Sequence, residues 1–60
     1  MFKLELATDN AAFDNHAGRE VARILRKLAA EVEHGLFAGR DNTKLRDING
    51  NTVGRAEWSE

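Results

Sequence analysis

The chain contains no cysteine, no proline and no tyrosine. Without cysteine, neither a disulfide nor a thiolate metal site can form. The absence also fits a reducing compartment. The single serine, Ser59, lies next to the last residue, so serine nucleophile chemistry has little to build on. No apolar run approaches the roughly 20 residues that cross a membrane, and MFKLELATDN has no signal-peptide core. Charge of one sign is missing as well. Nine Lys and Arg face ten Asp and Glu, for a formal net charge of -1. A general electrostatic binder of nucleic acid is usually clearly basic.

What is present is ordinary globular composition, 42% hydrophobic and 32% charged. Residues 1–60 read as a single small domain. A chain of this size buries only about 60% of the surface that its unfolded form exposes. Small domains gain stability from staples, metals or association. With disulfides excluded, a homodimer or a docked partner is expected.

Phe2, Leu4 and Leu6 alternate with Lys3 and Glu5, the period of a half-buried strand. Asp9, Asn10, Asp14 and Asn15 then interrupt the pattern as turn and cap formers. Phe13 is expected to fold back onto the core, and Asn15 to cap the helix that follows. Over residues 17–34, Val21, Ile24, Leu25, Leu28, Ala29 and Val32 recur at helical steps and share one sector. Gly35 ends this helix as a C' glycine, and His34 lies in its last turn.

LRDINGNTVG, residues 45–54, has Asn-Gly between strand-like runs, a strong hairpin signal. Two loops are possible. A two-residue Asn49-Gly50 turn sets Arg46 opposite Val53. A three-residue Ile48-Asn49-Gly50 loop with a glycine bulge sets Leu45 opposite Val53. The second is preferred because it pairs two apolar residues. Gly54 is read as a further irregularity that returns Ala56 and Trp58 to the buried face. The expected fold is α+β, in the order β-α-β-β. One amphipathic helix covers a three-stranded, antiparallel sheet in which β3 lies beside β1, and the C-terminal strands form the hairpin.

Candidate chemistry is sparse. Asp14 with His16, or Glu31 and Glu33 with His34, could touch a metal, but zinc sites need three or four convergent ligands. No metal, cofactor or catalytic residue is expected, and the chain reads as a non-enzyme. Gly35, Gly39 and Arg40 share a loop, yet neither phosphate-loop fingerprint occurs. The most function-like feature is a helix stripe of Arg19, Arg23, Arg26 and Lys27. Its bland reading is a solvated face balanced by Glu20, Glu31 and Glu33. Its functional reading is a surface for carboxylates or phosphates, which suit the planar guanidinium fork. Leu36, Phe37 and Trp58 form a second candidate surface, either core or aromatic anchor.

TDNAAF at 8–13, VARILRKLA at 21–29 and LRDINGNTVG at 45–54 together resemble a group of very small proteins of tailed bacteriophages and prophages. The resemblance implies a phage origin and a place in the host cytoplasm, and it carries over no site residues. It implies a binding protein that inhibits or redirects a host protein, of the takeover or anti-defence kind. The expected contact surface is Arg19, Arg23, Arg26 and Lys27 with Leu36 and Phe37. Charge reversal of Arg23 and Arg26 is expected to spare folding and abolish binding. The alternatives are a nucleotide or nucleic-acid binder, in which Arg19, Arg23, Arg26, Arg40 and Lys44 would contact phosphates, and a virion or assembly accessory.

Overall fold

The computed structural model describes residues 1–34 and 42–58. The expected α+β architecture is present. Strand β1 (Phe2–Leu6) is followed by a 3-10 turn (Ala11–Phe13), helix α1 (Ala17–Glu33), strand β2 (Asn42–Arg46) and strand β3 (Thr52–Trp58). The sheet order is β1-β3-β2, and both pairings are antiparallel. The C-terminal hairpin therefore supplies the central strand.

The core is small. Phe13, Ile24, Leu28, Leu45, Val53 and Ala56 are buried, with Leu6, Ala12 and Val21 packed against them. Burying a residue such as Leu28 contributes about 1.5–3 kcal/mol, so a handful of side chains carries most of the apolar stabilisation. Phe13 reaches this core from the 3-10 turn, as expected. That turn is capped by Asn10, whose Oδ1 accepts the Ala12 N–H at 2.9 Å.

Three expectations need correction. The first concerns the start of α1. The capping position is His16, not Asn15, and no side chain caps the helix there. The His16 carbonyl instead accepts the N–H groups of Arg19 and Glu20. Second, the apolar sector of α1 is only partly covered. Ile24 and Leu28 are buried, whereas Leu25, Ala29 and Val32 are exposed. A single helix on three strands shields one stripe of its own surface, and residues at the edge of that stripe stay wet.

The third correction concerns register. The loop is the three-residue one. Asp47 N–H donates to the Asn51 carbonyl at 2.9 Å, and Gly50 N–H donates to the Asp47 carbonyl at 3.0 Å. Gly50 has φ 84°, the left-handed conformation that a glycine bulge requires. Yet Leu45 faces Gly54, not Val53, because the ladder shifts between Leu45 and Arg46. Val53 is the extra residue. That one-residue shift lets both Val53 and Ala56, three apart, face the core, which strict alternation forbids. Gly54 is needed where β1 passes. A Cβ on it would collide with the Glu5 carbonyl and lie 2.9 Å from Leu6 Cα.

The far face of the sheet is charged. Lys3 stands opposite Glu57, and Glu5 stands opposite Arg55, which has Lys44 on its other side. Arg55 and Glu57, two apart on this face, form an ion pair at 2.7 Å.

Candidate functional site

The hairpin tip is built from polar groups that are directed inward. Asp47 is 5% exposed. Its Oδ1 accepts the N–H groups of Asn49 and Asn51, each at 2.9 Å. Its Oδ2 accepts Asn51 Nδ2 at 3.1 Å and Asn10 Nδ2 at 2.8 Å. An aspartate that bonds the backbone two residues on is the usual device for closing such a turn. Here it also fastens the segment after β1 to the hairpin, because Asn10 bridges the two.

Glu20 supplies the second clamp. It lies in the first turn of α1 and is 8% exposed, although its sequence position suggested a solvated flank. Its Oε2 accepts the Ile48 N–H at 2.8 Å. Arg23 grips the same carboxylate with two bonds, Nε to Oε1 at 2.8 Å and Nη2 to Oε2 at 3.0 Å. The Arg23 guanidinium reaches on to the Arg46 carbonyl at 3.3 Å. A paired guanidinium-carboxylate fork is among the stronger polar contacts available to a protein.

These contacts set the protonation of both acids. The Arg23 hydrogen bond holds the Glu20 carboxyl below its ordinary value; burial opposes this and the Ile48 N–H assists it. Burial pushes the Asp47 carboxyl up, but the hydrogen bonds from Asn51, Asn10 and Asn49 together outweigh it, so it too lies low. Both groups are ionised at neutral pH; Asp47 accepts four hydrogen bonds and Glu20 three. Such carboxylates are poorly placed to take up a proton or a metal ion. Among the described residues, no buried side-chain nitrogen or oxygen lacks a partner. Asn-Gly in this chain is therefore the bend of a clamped hairpin.

The stripe on α1 divides accordingly. Arg19, Arg26 and Lys27 are exposed on the helix, while Arg23 is drawn down to Glu20 and the hairpin. Sequence reasoning placed all four together because helical spacing cannot tell which arginine finds a buried carboxylate. Leu36 and Phe37 lie outside the described residues, as do Gly35, Gly39, Arg40 and Ser59. Trp58 is 50% exposed and meets Phe2 edge to face, with ring centroids 5.2 Å apart. Asp14 and His16 stand in the turn that joins the 3-10 segment to α1, and His34 ends the helix. No three His, Asp or Glu among the described residues are grouped to hold a metal.

An open groove of about 420 Å³ runs between α1 and the outer strand β2, floored by Ile24 and Leu28 and bordered by Lys27, Glu31, Lys44 and Arg46. No helix of the described residues is long and apolar enough to cross a membrane. No family model, no curated protein and no solved structure matches the chain.

Proposed function

We propose that the protein is a phage-encoded, non-enzymatic binding module that inhibits or redirects a host protein in the host cytoplasm. Two things support this reading. One is the resemblance of three segments of the chain to small phage proteins. The other, which carries the choice of surface, is that Arg19, Arg26 and Lys27 remain exposed on α1 after Arg23 has been spent on Glu20. Exposed guanidinium groups on a rigid helix suit a partner rich in carboxylates, where paired hydrogen bonds give orientation as well as attraction.

Arg23 changes place in this scheme. Reversing its charge would set two carboxylates against each other beside the hairpin, so it reports on folding. The informative variant is Arg19→Glu with Arg26→Glu and Lys27→Glu. It is expected to keep the helical circular dichroism of the parent and to lose the host protein that the parent retains from lysate. Retention of the same protein by the variant would remove α1 from the interface.

A second reading, a nucleotide or nucleic-acid binder, is favoured by one observation. Lys27 lines the α1-β2 groove, Lys44 and Arg46 lie along the strand that forms its other wall, and one carboxylate, Glu31, is among the lining residues. Phosphate contacts of this kind weaken steeply with added salt. Excess absorbance at 260 nm in the purified protein, removed by salt, is the outcome that supports this reading over the first.

A further inference from the structure

Among the described residues, strand β1 is an outer strand, paired only with β3. The Ala7 N–H donates to the Val53 carbonyl at 2.7 Å, and this fixes the direction of the peptide groups before it. In an antiparallel strand the N–H and C=O of one residue point the same way, and the direction alternates along the chain. Lys3 and Glu5 therefore turn these groups toward β3, and Leu4 and Leu6 turn theirs to the open edge. A row of that kind is a template for another strand.

The side chains next to this edge are apolar and exposed. Leu4 is 36% exposed, Phe2 42% and Trp58 50%. Helix α1 adds to them. Lys27 and Glu31 border the groove against β2, so the other flank of the helix is turned to the β1 side. At about 100° per residue that flank carries Leu25 and Val32, both exposed.

We propose that a second copy of the chain pairs along this edge, β1 antiparallel to β1, about a two-fold axis through Leu4. The register follows from charge. Centred on Leu4, Lys3 of each copy stands opposite Glu5 of the other, and Phe2 stands opposite Leu6. A slip of two residues one way sets Lys3 against Lys3, and a slip the other way sets Glu5 against Glu5. Like charges directly opposite destabilise a sheet, and opposite charges stabilise it. Leu4 exchanges both of its outward hydrogen bonds with Leu4 of the second copy. The Lys3-Glu5 pairs fall at the positions between such bonded pairs, where side chains approach most closely.

The two-fold axis stands perpendicular to the sheet, so both helices lie on one face. Phe2, Leu4 and Trp58 of the two copies then form one apolar strip, flanked by Leu25 and Val32 from each side. The contact is isologous and closes on itself. It rests on β1 and not on the cations of α1, so this proposal and the host-binding reading can fail separately.

The test is a charge-reversal pair measured by light scattering. The parent is expected at twice the chain mass. Lys3→Glu alone and Glu5→Lys alone each place like charges across the axis and are expected at the single-chain mass, with parental helical dichroism. Mixed in equal amounts, they restore both opposite-charge pairs and are expected to return to twice the chain mass. A parent that stays at single-chain mass at millimolar concentration overturns the proposal, as does a mixture of folded variants that fails to associate. Amide exchange on the parent tests the same edge without any substitution. The Leu4 N–H is expected to be protected in the dimer and to lose protection on dilution. A dimer whose Leu4 N–H exchanges freely places the interface elsewhere and also overturns the proposal.

Discussion

The Ile48 N–H donates to Glu20 Oε2 at 2.8 Å across 28 positions of sequence. The hairpin tip thereby hangs from the first turn of α1, and one carboxylate joins the two halves of the fold. Ile48 as a residue is 69% exposed. It is the backbone of this turn, not its side chain, that is anchored.

Replacing Glu20 by Ala removes this acceptor and the partner of Arg23 together. A backbone donor and a guanidinium are left with water or nothing, which costs more than an exposed pair would. The melting temperature is expected to fall clearly for Glu20→Ala and hardly at all for Glu33→Ala, an exposed glutamate of the same helix. Thermal melts followed at the helical band compare the two.

Acid should release the same clamp. The Arg23 hydrogen bond holds the folded Glu20 carboxyl low. For Asp47, burial raises the carboxyl, but donation from Asn51, Asn10 and Asn49 exceeds that effect. Each group thus has a lower pKa folded than unfolded, so the unfolded chain binds more protons in the intervening range. The stabilisation is complete above the unfolded carboxylate value near about 4 and is lost as pH falls through the folded values. Melting temperature is expected to be flat from neutral pH to about 5 in respect of these groups and to drop below about 4. In Glu20→Gln the acid drop should be smaller.

Two glycines of the hairpin differ in what they permit. Gly50 has open space around it but a positive φ, so Gly50→Ala is expected to cost about 1–2 kcal/mol of backbone strain. Gly54 has no positive φ but lies against the β1 backbone. Gly54→Ala must push β1 aside, and overpacking of that kind costs about 1–3 kcal/mol or more. Denaturant midpoints should rank Gly54→Ala below Gly50→Ala.

The arginines of α1 should separate by role. Charge reversal at Arg19, Arg26 or Lys27 is a surface change, expected within about 0.5 kcal/mol of the parent in stability. Arg23→Glu is expected to destabilise, because its guanidinium holds both Glu20 and the Arg46 carbonyl. Urea unfolding of the single variants measures the difference.

Much of the architecture was legible from local pattern. The alternation of Phe2, Leu4 and Leu6, the helical recurrence from Val21 to Leu28 and the Asn49-Gly50 signal each arise from backbone geometry that a short window contains. Strand order followed once β3 was placed beside β1. What could not be read were properties decided by distant partners. Glu20 looks like any helix-surface glutamate until the hairpin closes over it. Arg23 has the spacing of its stripe but the partners of a core group. The extra residue at Val53 had a faint sign in Gly54, and its effect on register depends on β1 passing behind. Asp47 was the missed residue with a signal, since aspartate opening an Asp-x-Asn-Gly turn commonly bonds the backbone ahead of it.

The Asp47–Asn51 turn is a fastening of the fold and not a ligand loop. Hydrogen exchange at the Ile48 amide tests it most directly. This amide belongs to a surface turn, where exchange is ordinarily fast. The Ile48 N–H is expected to exchange slowly in the parent and fast in Glu20→Ala under conditions where the variant remains folded. An Ile48 amide that exchanges at the free rate in the parent would contradict it.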